Sequence, residues 1–190
     1  MQAVPRSRYL IFIAIAVGGG LVDWATKYYV FRWLGLPGIR PTCWIWQGVF
    51  GFQTSLNEGA LFGLGQGRTF VFAALSIAAA GGILCWLFVA RAAIDRLLTI
   101  SLAMITGGIA GNLYDRLGLP GLTWHFSNSL HKLGEPVYAV RDWILVMFGK
   151  WPWPNFNVAD SLLVCGAILL ACQALRKDDA TMSERIKDEG

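Results

Sequence analysis

Four apolar blocks, each about as long as a helix needs to be to cross a lipid bilayer, dominate this sequence. They cover residues 9–30, 69–90, 97–114 and 158–175. A hydrocarbon core of roughly 30 Å takes about 20 helical residues to span. Inside lipid a helix satisfies its backbone polar groups within the segment itself. The chain is therefore predicted to be an all-α membrane protein, with four transmembrane helices in a single integral membrane domain, 1–190. Composition agrees, since 15% of the residues are charged and 55% hydrophobic, against about a quarter charged in soluble domains. The net charge of +4 is scattered along the chain and leaves no footprint for nucleic acid.

The first block follows Arg6 and Arg8, as a signal peptide would. It continues, however, through Gly18-Gly19-Gly20 into Asp23 and Lys27 without the small-residue cleavage site such a peptide needs. It is expected to be retained as a span. Cys85, Cys165 and Cys172 lie within apolar blocks and Cys43 has no evident partner, so they are read as small buried side chains and not as a disulfide framework.

Orientation follows from Lys and Arg density. Residues 1–8, 91–96 and 176–190 hold eight basic residues in 29 positions, while the much longer segments 31–68 and 115–157 hold seven. Both termini are expected to be cytoplasmic, with 31–68 and 115–157 as outer loops. The tail 176–190 is highly charged and is expected to be a solvated cytoplasmic end.

Polar residues then converge on one side of the bilayer. Asp23 falls near the outer end of the first span, Asn112 and Asp115 at that of the third, and Asp160 at the outer start of the fourth. Asn57 and Asp142 belong to the outer loops. Ionisable groups in membrane segments are costly and mark functional sites. Each group has a structural reading as well. Asp23 and Lys27 are four apart and can pair at the lipid boundary. Asn112, Asp115 and Arg116 can form a buttressing network. Asn157 reads as an N-cap with Asp160 three residues on, in a capping arrangement. Gly107, Gly108 and Gly111 make a small-residue strip for close helix packing.

Two carboxylates confined together cannot both ionise easily. Such a pair acts as acid and base at once and activates a water without metal or cofactor. Spacing alone leaves Asp115 as well placed for this role as Asp142 or Asp160. No His-Glu-x-x-His helix, Gly-x-Ser-x-Gly elbow or phosphate loop is present. His125 and His131 are six apart in a loop, which is not a common ligand spacing. A proton-coupled transporter would place its key groups near the midplane, and a scaffold would leave the converging acids unused.

Five motifs in order identify the family. They are Asp23-Trp24-Ala25-Thr26-Lys27, Asn57-Glu58-Gly59-Ala60-Leu61-Phe62, Gly107 through Gly111-Asn112-Leu113-Tyr114-Asp115-Arg116, Val140-Arg141-Asp142-Trp143-Ile144, and Phe156-Asn157-Val158-Ala159-Asp160. Over nearly its whole length the chain resembles the lipoprotein signal peptidases (signal peptidase II). The resemblance implies a catalytic dyad of Asp142 and Asp160. It implies support from Asn112, Asp115, Arg116 and Asn157, with Asp23, Lys27, Asn57, Gly59 and Ala159 around the pocket. It further implies no cofactor or metal, and a bundle of four helices bearing a small extracytoplasmic β-structure, placed here around residues 41–62. The implied reaction removes the signal peptide of diacylglyceryl-modified prolipoproteins before the lipidated cysteine, among membrane lipids at the outer face of the bacterial cytoplasmic membrane. One complete site per chain suits a monomer. Two features depart from the family pattern. Leu61 stands where a small residue is usual, and 26 residues separate Asp115 from Asp142. This long connection, with Trp124, His125, Phe126, His131, Gly134 and Pro136, is read either as a lid or membrane-lying flap or as a tolerated surface insertion.

Overall fold

The structure is a computed structural model that describes residues 3–59, 65–127 and 130–188, with side chains to residue 176. Its elements are α1 (Arg6–Leu34), β1 (Cys43–Trp46), β2 (Phe50–Asn57), α2 (Thr69–Leu84), α3 (Arg96–Arg116), β3 (Val140–Phe148), β4 (Trp151–Pro152) and α4 (Val158–Asp188). A π-helical turn, Cys85–Val89, extends α2. All four helices contain stretches long and apolar enough to cross a membrane. α1 reaches Leu34, so Asp23 and Lys27 lie within the helix and not at its end. α4 carries its helical backbone on through the charged tail to Asp188. Leu61 lies outside the described residues.

α3 is the centre of the bundle. Of its apolar window 56% is buried, against 11–17% for the other three spans. The glycine strip explains how. A Cβ on Gly107 would come within 3.0 Å of the Ala16 carbonyl oxygen on α1, and one on Gly108 within 2.5 Å of the Ala159 carbonyl oxygen on α4. Backbones approach this closely only where side chains are absent. Asp95 caps α3 by accepting from the Leu98 amide at 3.1 Å, and its other carboxylate oxygen meets Gln173 of α4.

Replacing Gly108 with Ala is expected to cost about 1–3 kcal/mol, because the contact is backbone against backbone and neither side can yield. Gly81→Ala, in a part of α2 where a Cβ meets nothing within 4 Å, is expected to be neutral or to gain up to about 1 kcal/mol of helix propensity. Thermal unfolding in one detergent separates the two.

The four strands form one antiparallel sheet in the order β1-β2-β3-β4. The sequence placed β-structure around 41–62, which accounts for β1 and β2 only. The other half comes from the second long loop, with Ser55 opposite Asp142 and Asn57 opposite Val140. A sheet completed by residues more than eighty positions away has no local signature beyond the apolar run 143–148, which periodicity cannot distinguish from other buried segments. Val30, Phe31 and Leu34 of α1 pack with Trp143 beneath the sheet. Past β4, the chain bonds back to β3: the Ile144 amide donates to the Phe156 carbonyl at 2.8 Å, and the Phe156 amide donates to the Ile144 carbonyl at 3.2 Å. That pairing sets Asn157, at the start of α4, beside Asp142.

Candidate active site

Asn157 is the hub from which the site is built. Its backbone amide donates to Asp160 Oδ2 at 3.2 Å, and its Oδ1 accepts from the Asp160 amide at 2.9 Å. This is the reciprocal capping arrangement expected from spacing. Its Nδ2 donates to Asp142 Oδ1 at 2.6 Å and to Asn112 Oδ1 at 3.2 Å. Asn112 Nδ2 in turn donates to Asp160 Oδ1 at 2.8 Å. Asp142 and Asp160 are thus held in one network by two amide side chains, each of which touches both its neighbours.

Behind them lies a buried charge cluster. Lys27 is completely buried, with Nζ at 2.7 Å from Asp23 Oδ2, 2.9 Å from Asp115 Oδ2 and 3.0 Å from Asn112 Oδ1. Its three donors therefore have three acceptors. The boundary ion pair read from the sequence is instead an interior network. Asp23 Oδ1 accepts from the Ala159 amide at 2.9 Å, which ties α1 to the first turn of α4. Ala159 is itself fully buried, and a Cβ on Gly111 would come within 3.0 Å of its methyl group.

Asp115 takes its ion-pair partners from other elements. Arg116 follows it in sequence, but adjacent helical residues do not face each other. The structure pairs Asp115 with Arg141, which donates from Nε at 2.8 Å and from its backbone amide at 3.0 Å. Arg141 is a site residue that no local spacing marks. Strand alternation supplies the missing signal, since Arg141 and Asp142 must point to opposite faces of β3. Arg116 turns away, donating from Nη2 to the Gly59 carbonyl at 3.2 Å, with its guanidinium over the Phe72 ring. The Gly59 amide donates to Asn57 Oδ1 at 3.0 Å.

Asp142, Asp160, Asn57, Gly59, Asn112 and Arg116 share a cavity of about 640 Å³, whose apolar wall includes Ile109, Leu163 and Val164. Asp23, Lys27, Asp115, Asn157 and Ala159 stand behind it. All eleven residues singled out in the sequence therefore belong to one assembly, in two layers. Asp142 is only 2% exposed. Burial above all, then the charge of Asp160, pushes its carboxyl up to about 8, against the opposing pull of Lys27, Asn157 and Asn57. A carboxyl that retains a proton near neutrality beside a second carboxylate is equipped for acid–base chemistry.

A four-span helical protein with paired carboxylates in a cavity against an apolar wall is the class that this fold and site define. Comparison with known proteins makes it specific. The model of the family described as Signal peptidase (SPase) II matches residues 13–176, and the chain belongs to that family. It is thereby a multi-pass membrane protease. It is similar to a lipoprotein signal peptidase of Rhodopirellula baltica, 49% identical over 176 residues that cover 90% of this chain and 74% of that protein. A lipoprotein signal peptidase of Syntrophus aciditrophicus is 31% identical over 162 residues, covering 83% and 87%. Two solved structures described as bacterial membrane enzymes share the fold. One has a TM-score of 0.70 at 23% identity and covers 90% of each chain. The other has a TM-score of 0.66 at 24% identity and covers 86% of this chain and 92% of its own.

Proposed function

We propose that the chain removes signal peptides from diacylglyceryl-modified prolipoproteins, cleaving before the lipidated cysteine with Asp142 and Asp160 as the catalytic dyad. The observation that carries this reading is the joint presence of the two carboxylates in one cavity, cross-linked by Asn157 and Asn112. Its relatives are named lipoprotein signal peptidases, which agrees with a lipoprotein substrate.

In this mechanism the pair shares one proton at neutral pH, and the proton belongs to the pair and not to one residue. The ionised carboxylate takes a proton from a water held between them. The resulting hydroxide attacks the scissile carbonyl while the protonated carboxyl donates to its oxygen. Collapse of the tetrahedral intermediate breaks the C–N bond as the proton taken from water passes to the leaving amine, and the gem-diol returns the donated proton to the dyad as the new carboxyl forms. Asn157 and Asn112 fix the two carboxylates, and the Lys27 cluster fixes Asn112. The apolar wall suits lipid chains and a hydrophobic signal sequence. Binding energy gained there, remote from the reacting bond, can be used to align it.

The basic-residue asymmetry supports cytoplasmic termini, with sheet and cavity at the outer face of the inner membrane. One chain supplies every residue of the cavity described above, which suits a monomer. The test uses purified protein in detergent with a prolipoprotein in diacylglyceryl-modified and unmodified forms. Cleavage of the modified form alone is expected, and equal cleavage of both would remove the lipid from the recognition step.

The raised Asp142 value fixes the direction of the pH dependence. As pH passes about 8 the pair loses its shared proton, so kcat/KM is expected to fall on an alkaline limb near that value. Stability follows the same sign. The folded state holds this proton more tightly than the unfolded chain does, so the contribution of Asp142 weakens as pH rises from about 4 through about 8. A rate profile flat to pH 10 would contradict a proton shared at Asp142.

A further inference from the structure

The long connection between α3 and β3 is folded. Gly118 and Gly121, both with positive φ, turn the chain after α3. Residues 122–124 then run beside 134–137. The Val137 amide donates to the Leu122 carbonyl at 2.9 Å, the Trp124 amide to Glu135 at 2.8 Å, and the Gly134 amide to Trp124 at 2.8 Å. Trp124, Val137 and Ala139 are buried together and pack with Leu56 of β2. The base of the segment thus carries a small core of its own against the sheet.

Toward residues 57–59 it presents His131. The imidazole of His131 stacks flat on Trp124, with ring centroids 4.2 Å apart and planes 8° from parallel. Its Nε2 meets the carboxylate of Glu58. Glu58 sits between two residues of the cavity, Asn57 and Gly59. Asn57 lines the cavity with Asp142, and the Gly59 carbonyl receives Arg116. The backbone carbonyl of Glu58 accepts from Thr69 at the start of α2 at 3.2 Å. The middle residue of the turn is therefore held by side chain and backbone while its neighbours face the chemistry.

We propose that His131 is a positioning residue: paired with Glu58 and braced by Trp124, it holds the 57–59 turn so that Asn57 and Gly59 meet the reacting groups. The insertion thus stiffens one wall of the site. Displacements of about an ångström in such walls cost up to about 100-fold in rate. This inference rests on the function proposed above.

The test measures His131→Ala, Glu58→Gln, the double variant and His131→Gln in the full chain, with Asp142→Asn beside them. The expected result is a fall of about tenfold in kcat/KM for each single change, carried by kcat, with the double variant no worse than either. His131→Gln keeps a donor toward Glu58 and recovers most of the loss. A readout that needs no cleavage is hydrogen exchange at the Gly59 amide, expected about tenfold faster in His131→Ala and near wild type in His131→Gln. Wild-type kinetics in His131→Ala, additive losses in the double variant, or unchanged Gly59 exchange would each overturn the role of His131. Absence of cleavage by folded wild type would instead overturn the proposed function, and the exchange measurement would still decide the role of His131.

Discussion

Asp142→Asn and Asp160→Asn are each expected to lower cleavage by about 1,000-fold or more while leaving the protein folded. General acid–base catalysis by one positioned group is worth about 10²–10⁴-fold, and the two carboxylates act as a unit, so loss of either removes both functions. The substitutions are nearly isosteric. Asn at 142 can still meet Asn157 through its amide oxygen, in the place of the 2.6 Å bond from Asn157 Nδ2 to Asp142 Oδ1. It also removes a buried, poorly solvated carboxyl, so the melting temperature of Asp142→Asn is expected to hold or rise at alkaline pH. Asp160 also closes the cap of α4 with its carboxylate. Asp160→Asn should therefore lose a little stability as well, on the order of 1 kcal/mol. Initial rates on a lipidated substrate, with melting curves on the same preparations, separate loss of chemistry from loss of fold.

The second large effect falls on stability. Lys27→Met is expected to destabilise the protein by about 3–5 kcal/mol, the usual cost of breaking a buried pair by removing one partner. Lys27 is completely buried and faces two aspartates and an asparagine oxygen. Asp115 keeps Arg141, whereas Asp23 is left with the Ala159 amide alone among these bonds. Combining Lys27→Met with Asp23→Asn should therefore recover part of the lost stability, and combining it with Asp115→Asn should recover less. Folded yield and thermal unfolding in detergent measure both.

Much of the helical frame and of the site was legible because it depends on local pattern. Apolar run length marked the spans, and the acids stood out against them at a cost that lipid makes severe. Asn157 and Asp160 were legible as a cap because capping is a three-residue relation. Non-local relations were hidden. β3 pairs with a strand more than eighty residues earlier, so Asp142 read as a loop residue when it is held on a sheet. The Asp115–Arg141 pair was hidden for the same reason, since it becomes visible only once β3 is known to alternate. Lys27 read as a boundary side chain because no local pattern distinguishes a snorkelling lysine from one enclosed by three partners. The connection between Asp115 and Asp142 reads from sequence as either a lid or membrane-lying flap or a tolerated insertion, because the packing of Trp124, Val137 and Ala139 depends on Leu56 from another strand.

Cleavage by the dyad is tested by the mass of the products released from a diacylglyceryl-modified prolipoprotein by the purified wild type and by Asp142→Asn. The wild type is expected to make one cut, giving an intact signal peptide and a mature chain that begins with the lipidated cysteine, and Asp142→Asn is expected to give no such products. Cleavage at another bond, or the same products from Asp142→Asn at the wild-type rate, would rule out Asp142 as a member of a dyad acting at that bond.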